Sequence, residues 1–231
     1  NFSGSAGFAI ILKNKNFLFV DGRYTIQAQL EAANNFKIIN YNKILNCNLF
    51  KNLTIGLDPK LFTSNQIKNF FLRNNKVKII ESNLVDEIVK KRSFLSKPFF
   101  SLNKKIVGEN FKNKINKIVK FLKKRNLDYM FISASENLAW LINIRGYDNP
   151  NSPVPNAHLF LDINKKFYLI SEKRKLKNLI KEKKINSNQI IEPKYFKKFI
   201  NQLKGKKISI DPLTCSLFYE NILKKKFKIF K

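Results

Sequence analysis

Two Asp-Pro dipeptides about 150 residues apart, Asp58-Pro59 and Asp211-Pro212, stand in the same local order, and that order constrains the fold more than any other feature of the sequence. Each follows a short apolar run, Leu53 to Leu57 or Lys207 to Ile210. Each precedes a helix-like stretch and a closing strand, residues 63–73 then 77–80 and residues 214–224 then 227–230. Upstream the match continues. Residues 8–12, a polar turn at 13–16 and residues 17–21 form a hairpin pattern, which residues 157–161, 162–166 and 167–171 repeat. Between hairpin and Asp-Pro turn each copy carries a helix, a strand and a second helical stretch: 25–34, 36–39 and 41–50, then 175–184, 190–191 and 195–203. Strands alternating with helices predict an α/β fold, with a mixed sheet flanked by helices, used twice.

The copies differ at their starts. The second opens with a helix at 109–126, a buried strand at 129–132 and a short helix at 136–142, all before its hairpin. The first begins directly at the loop before its hairpin, so by comparison it reads as truncated at its start by about 50 residues. Exposed apolar surface is expected there. The opening Asn1-Phe2-Ser3 has no initiator Met and no signal-peptide order, and the strand-like end at Phe227 to Lys231 stops without a turn, so both ends read as cut. Helical periodicity ends at Arg92 and Pro98 blocks its resumption. The expected division is a first domain at 1–95, a linker at 96–105 and a second domain at 106–231.

The formal charge of +29 on 231 residues is the footprint of a nucleic-acid binder, and a stand-alone basic module for nucleic acid or an acidic partner is one reading. The distribution argues for another. In 109–126, Phe111, Ile115, Ile118, Val119 and Leu122 make one helical face, while Lys112, Lys114, Lys117, Lys120, Lys123 and Lys124 fill the rest as a solvated surface. Most of the 22 Phe fall in strand or helix-core registers rather than as exposed stacking rings. The Gly4-Ser5-Ala6-Gly7 turn lacks the Lys-Ser/Thr continuation of a phosphate loop. No apolar run is long enough to span a bilayer. Cys47 and Cys215 read as buried reduced thiols, and the single histidine, His158, lies in strand alternation with no carboxylate at ligand spacing. No metal-binding or nucleophilic constellation is expected in this chain.

Four motifs in order, Phe2-Ser3-Gly4-Ser5-Ala6-Gly7, Asp21-Gly22-Arg23-Tyr24, Val85-Asp86-Glu87-Ile88 with Lys91-Arg92, and Trp140-Leu141-Ile142-Asn143-Ile144-Arg145-Gly146, resemble aminopeptidase P, the Xaa-Pro aminopeptidase of the creatinase and prolidase superfamily. The resemblance runs over essentially the whole chain. It implies two tandem creatinase-type N-terminal domains of ribonuclease H-like topology, without the catalytic pita-bread domain. It also implies that the parent protein is a cytoplasmic, homodimeric, metal-dependent peptidase acting on short peptides with proline second. Its two divalent metal ions, usually manganese, would lie in the third domain, and none would be bound here. The two domains would restrict access to short peptides and support dimerisation, with no specific nucleic acid and no membrane as partner.

Arg23 is the candidate substrate-binding residue. Asp21 leaves a strand, Gly22 permits a tight turn, and Arg23 projects near a helix start. The resemblance implies that this arginine contacts the bound peptide, to which a guanidinium offers forked hydrogen bonds. The alternative is a salt bridge to Asp21 or another carboxylate that pins the turn. Arg145 is expected to brace the proline-rich loop from Tyr147 to Pro155.

Overall fold

The computed structural model describes residues 2–46, 50–89, 97–103, 105–149 and 151–231. The chain forms two compact units, residues 1–56 with 66–78, and residues 57–65 with 79–231. In the first unit β1 (Gly7–Ile11) and β2 (Asn16–Val20) make an antiparallel hairpin in which Ala9 faces Leu18. α1 (Thr25–Ala32) then leads into β3 (Lys37–Asn40), which pairs parallel with β2. Strand alternation sends Leu18 and Val20 to α1, where they meet Ala28 and Ala32. Phe17 and Phe19 take the opposite face and meet Phe50. β4 (Thr54–Leu57) and β5 (Lys76–Ile79), joined through α2 (Ser64–Phe70), form a two-stranded sheet of their own.

The second unit has as its first full helix α3 (Leu84–Ile88), whose Asn83 cap accepts from the Val85 N–H. It continues through β6 (Phe100–Ser101), α4 (Phe111–Lys124), β7 (Tyr129–Ile132), α5 (Ser135–Leu141), β8 (Ile144–Arg145), β9 (His158–Asp162), β10 (Phe167–Ile170), α6 (Lys177–Lys181), β11 (Ile190–Ile191), α7 (Phe196–Asn201), β12 (Lys207–Ile210), α8 (Leu217–Lys224) and β13 (Lys228–Phe230). One six-stranded sheet runs β11-β10-β9-β7-β12-β13. Its strands β9 and β10 carry buried residues on both faces. Leu159, Leu161 and Leu169 pack under Ile115 and Val119 of α4 and Leu138 and Leu141 of α5. Phe131, Phe160 and Ile208 pack under Phe196 and Ile200 of α7 and Leu223 of α8. Each fully covered side chain of this size stabilises the fold by about 1.5–3 kcal/mol relative to exposure.

The mixed α/β architecture and its doubled order agree with the sequence reading, and α4 occupies the expected helix with Asn110 as its cap. Three expectations change. The stretch taken as a linker, 96–105, contributes Phe99, which is fully buried in the core, and β6, which pairs antiparallel with β8. Residues 57–65 fall with the second unit, because the Phe218 N–H bonds the Pro59 carbonyl and the Leu217 N–H bonds the Phe62 carbonyl. The helices expected at 175–184 and 195–203 are shorter, since each begins as a 3₁₀ turn, Lys173–Leu176 and Pro193–Tyr195. Cys47 and the Lys91-Arg92 pair lie outside the described residues. No helix among those described is long and apolar enough to cross a membrane.

Candidate functional site

In the first unit two of the sequence motifs come together. Asp21 caps a single 3₁₀ turn, Gly22–Tyr24, by accepting from the Arg23 N–H at 3.0 Å. The Arg23 side chain turns back on the same carboxylate, Nε to Oδ1 at 2.9 Å and Nη2 to Oδ2 at 3.3 Å. These bonds from Arg23 hold the Asp21 carboxyl below its ordinary pKa. The Arg23 side chain nevertheless remains 74% exposed, and its guanidinium reaches over the Tyr24 ring. Tyr24 Oη and Ser5 Oγ are 2.7 Å apart, and the Phe2 ring meets the Tyr24 ring edge-on. The Phe2 ring packs over Gly4, where a Cβ would lie 2.3 Å from it and would push the ring aside. Ser3 donates through its N–H and hydroxyl to Glu31 of α1, and Gln27 donates to both. The Ser3 N–H is the main cause of a lowered Glu31 pKa.

The Trp140 to Gly146 motif occupies a buried polar hub in the second unit. Asn143 takes a left-handed turn at φ 54°, donates from its amide to the Glu109 carbonyl, and accepts from Lys114 Nζ at 2.7 Å. Lys114 also donates to the Trp140 carbonyl and lies 4.2 Å from the centre of the indole ring. Lys184 Nζ donates to the Asn143 carbonyl, and burial pushes its pKa down to about 8. Arg145 donates to the carbonyls of Ala139 and Ile144. It therefore ties α5 to β8, and among the described residues it makes no hydrogen bond to the loop at 147–155 that it was expected to brace. That loop is held by the Gly146 N–H on the Pro153 carbonyl and by Asp148, which accepts from the Asn156 N–H and pairs with Lys175 at 2.7 Å. A Cβ on Gly146 would meet Pro155 Cα at 2.8 Å.

His158 Nδ1 lies 2.9 Å from the Ser133 carbonyl, and since a carbonyl only accepts, Nδ1 carries the proton. Burial lowers the pKa of this ring. Cys215 is buried, and burial, followed by the Glu220 carboxylate, pushes its thiol up to about 12. An inert thiol follows. Among the described residues no group of three or more His, Cys, Asp or Glu is placed to hold a metal ion. The donor set therefore does not fit a dinuclear centre, and no chemical step is assigned to a metal held by this chain.

Sequence reasoning placed Lys114 on the solvated face of its helix, whereas it is 5% exposed. A signal was present. Lys114 lies three residues after Phe111 and four before Ile118, on the flank of the apolar stripe. Its partner Asn143 gave no periodic signal, because a left-handed residue joining α5 to β8 belongs to neither element.

These features define a duplicated mixed α/β protein with a motif-bearing turn in one copy and a buried polar hub in the other. Residues 90–231 match the model of the Creatinase/Prolidase N-terminal domain, and the chain belongs to that family. Xaa-Pro aminopeptidase 1 of Dictyostelium discoideum is 30% identical over 244 residues, covering 94% of this chain and 38% of that protein. Aminopeptidase P1 of Arabidopsis thaliana is 30% identical over 185 residues, covering 75% of this chain and 28% of that protein. The chain thus spans between about a quarter and two fifths of these relatives. The fold matches that of X-prolyl aminopeptidase from Caenorhabditis elegans, described as a cytosolic enzyme with a di-nuclear active site. The TM-score is 0.81 at 21% identity, over 99% of this chain and 41% of that one.

Proposed function

We propose that this chain is the non-catalytic N-terminal part of a metal-dependent Xaa-Pro aminopeptidase, built from two creatinase-type repeats. The observation that carries the reading is the alignment of nearly the whole chain with 38% of an Xaa-Pro aminopeptidase. The chemistry, removal of the first residue from a peptide with proline second, then belongs to the part of such an enzyme that this chain does not align with. The two repeats restrict access to short peptides and support a cytoplasmic homodimer. Arg23 is the residue of this chain proposed to meet the peptide, since its turn is fixed by Asp21 while its side chain stays exposed. Its remaining N–H donors suit a peptide carboxylate or carbonyl.

Two measurements test this. The 231-residue chain, assayed with an Xaa-Pro peptide and manganese, should release no amino acid, and metal-dependent release would overturn the reading. In the intact enzyme Arg23→Ala should lower kcat/KM about tenfold or more, the loss of a charged hydrogen bond, with the melting temperature unchanged. Unchanged kinetics with a lower melting temperature would assign Arg23 to the turn alone.

A further inference from the structure

In the second unit β7 and β12 are neighbours and run parallel, with Ile210 opposite Phe131. The helices that follow them lie on opposite faces. α5 packs with α4 over one face of the sheet, and α8 packs with α7 over the other. Chains that leave two parallel neighbours in opposite directions open a crevice at the strands' carboxyl ends, and α/β proteins bind ligands in such crevices. A cavity of about 320 Å³ occupies this place, within the size range of small-ligand sites. Met130, Ile132 and Ile210 give it apolar walls, while Trp140, Asn137 and Asp211 also line it.

Its polar groups are ordered. The Thr214 hydroxyl donates to Asp211 Oδ2 at 3.0 Å, so Ser133, whose Oγ is 2.7 Å from Thr214 Oγ1, donates to Thr214. Asp211 Oδ1 accepts from the Leu213 N–H. Both carboxylate oxygens keep further acceptor capacity. In a chain of net charge +29, the charged side chain among the described residues lining this cavity is a carboxylate. Lys114, against the Trp140 ring, is not among the lining residues and donates to the Trp140 carbonyl and Asn143 instead. An anion would meet like charge there, and a neutral apolar molecule would leave Asp211 without a counter-charge.

We propose that this crevice binds a small apolar primary ammonium, its hydrocarbon body in the cavity and its ammonium on Asp211. The ligand is a free amine or the amino terminus of a peptide whose first side chain is apolar, both of which present this chemistry. The assignment does not depend on the peptidase reading, since no residue of the Arg23 turn takes part.

Trp140 is the single tryptophan of the chain and lines the cavity, so its fluorescence reports the site directly. The full chain is titrated with 2-phenylethylamine, 2-phenylethanol and 3-phenylpropionate. The amine should change the emission saturably, with affinity about tenfold or more above that of the alcohol, as a charge-assisted hydrogen bond requires. The carboxylate should give no saturable change. Asp211→Asn should abolish the preference for amine over alcohol. Asn137→Phe, an exposed position at the cavity wall, should abolish binding of both, which keeps the test decisive if the Asp211 variant misfolds by circular dichroism. Phe-Ala amide with free and acetylated amino termini separates the sources: binding of the free form assigns the site to peptide termini, and binding of 2-phenylethylamine alone assigns it to free amines. Equal affinity for amine and alcohol, a preference that survives Asp211→Asn, or binding that survives Asn137→Phe would overturn the proposal.

Discussion

The two hairpins, β1–β2 and β9–β10, are the same device in different company. Matched by the face that the following helical segment covers, where Leu18 meets Ala28 and Ala32 and Leu169 clusters with Leu176 and Leu179, the hairpins align: Ala9 pairs with Leu18, which pairs parallel with Ile38, and Leu159 pairs with Leu169, which pairs parallel with Ile190. Ile11 then corresponds to Leu161 and Phe8 to His158. Leu159 and Leu161 are fully buried, whereas Ala9 is exposed and Ile11 is 66% exposed. The cause lies outside the hairpin. β9 has β7 on its second edge, with α4 and α5 above it, while β1 is the edge of a three-stranded sheet whose β4–β5 counterpart stands separately. Among the described residues the first unit has no strand in the place of β7. A hairpin's pattern fixes its pairing, but its neighbours decide which face is core.

The comparison can be broken by mutation. The largest effect is expected at Leu161→Ala, which should cost about 2–5 kcal/mol in urea unfolding through loss of packing and a residual cavity. The equivalent Ile11→Ala should stay within about 0.5 kcal/mol, as surface substitutions do. Equal costs would mean that the face of β1 is covered after all.

Next comes the hub. Lys114→Ala removes the donor to the Asn143 side chain and the Trp140 carbonyl, and should cost about 1–3 kcal/mol, against about 0.5 or less for the exposed Lys120→Ala of the same helix.

A smaller effect separates the units by pH. His158 is the only histidine, and its counterpart in the first unit is Phe8. Its folded pKa is below the unfolded value of 6.5, so below that pH the unfolded chain binds the extra proton. This contribution to stability is complete above about pH 6.5 and is lost as pH falls from there toward the folded pKa, by at most about 1.4 kcal/mol per pH unit. Urea midpoints from pH 5 to 8 should show that slope for the second unit, and His158→Gln should flatten it.

The smallest effect is at the turns after the hairpins. Asp21 with Arg23 and Glu172 with Arg174 are the same carboxylate-to-arginine pair two residues on, both at the surface. Asp21→Asn and Glu172→Gln should leave the melting temperature unchanged within error, because water screens both pairs. A marked loss at Asp21 alone would assign that turn a structural task its counterpart lacks.

How much of this was legible follows from range. The hairpins, the Asp-Pro turns and α4 announce themselves through period, because their patterns repeat within a few residues. Two-residue β6 leaves no period, and Phe99 reads as linker until β8 and the Lys175 carbonyl, which bonds its N–H, are beside it. Lys114 looks solvated until Asn143, 29 residues away, turns left-handed to meet it. Arg23 was legible as an exposed turn residue, and its fold onto Asp21 was one of the two arrangements the motif allowed. The cavity by Asp211 could not be read at all, since its walls come from two strands, two helices and the turns after those strands, which only the sheet order brings together.

The segment at 57–65 carries one more consequence. Thr63 forms an antiparallel bridge with Ser216, and counting from the Asp-Pro of each copy these are equivalent positions. Residues 57–65 group with 79–231, so this bridge lies within one compact unit although its two sides come from different copies of the repeat. Here both partners belong to one polypeptide, so the contact forms at an effective concentration set by the chain itself and does not weaken on dilution.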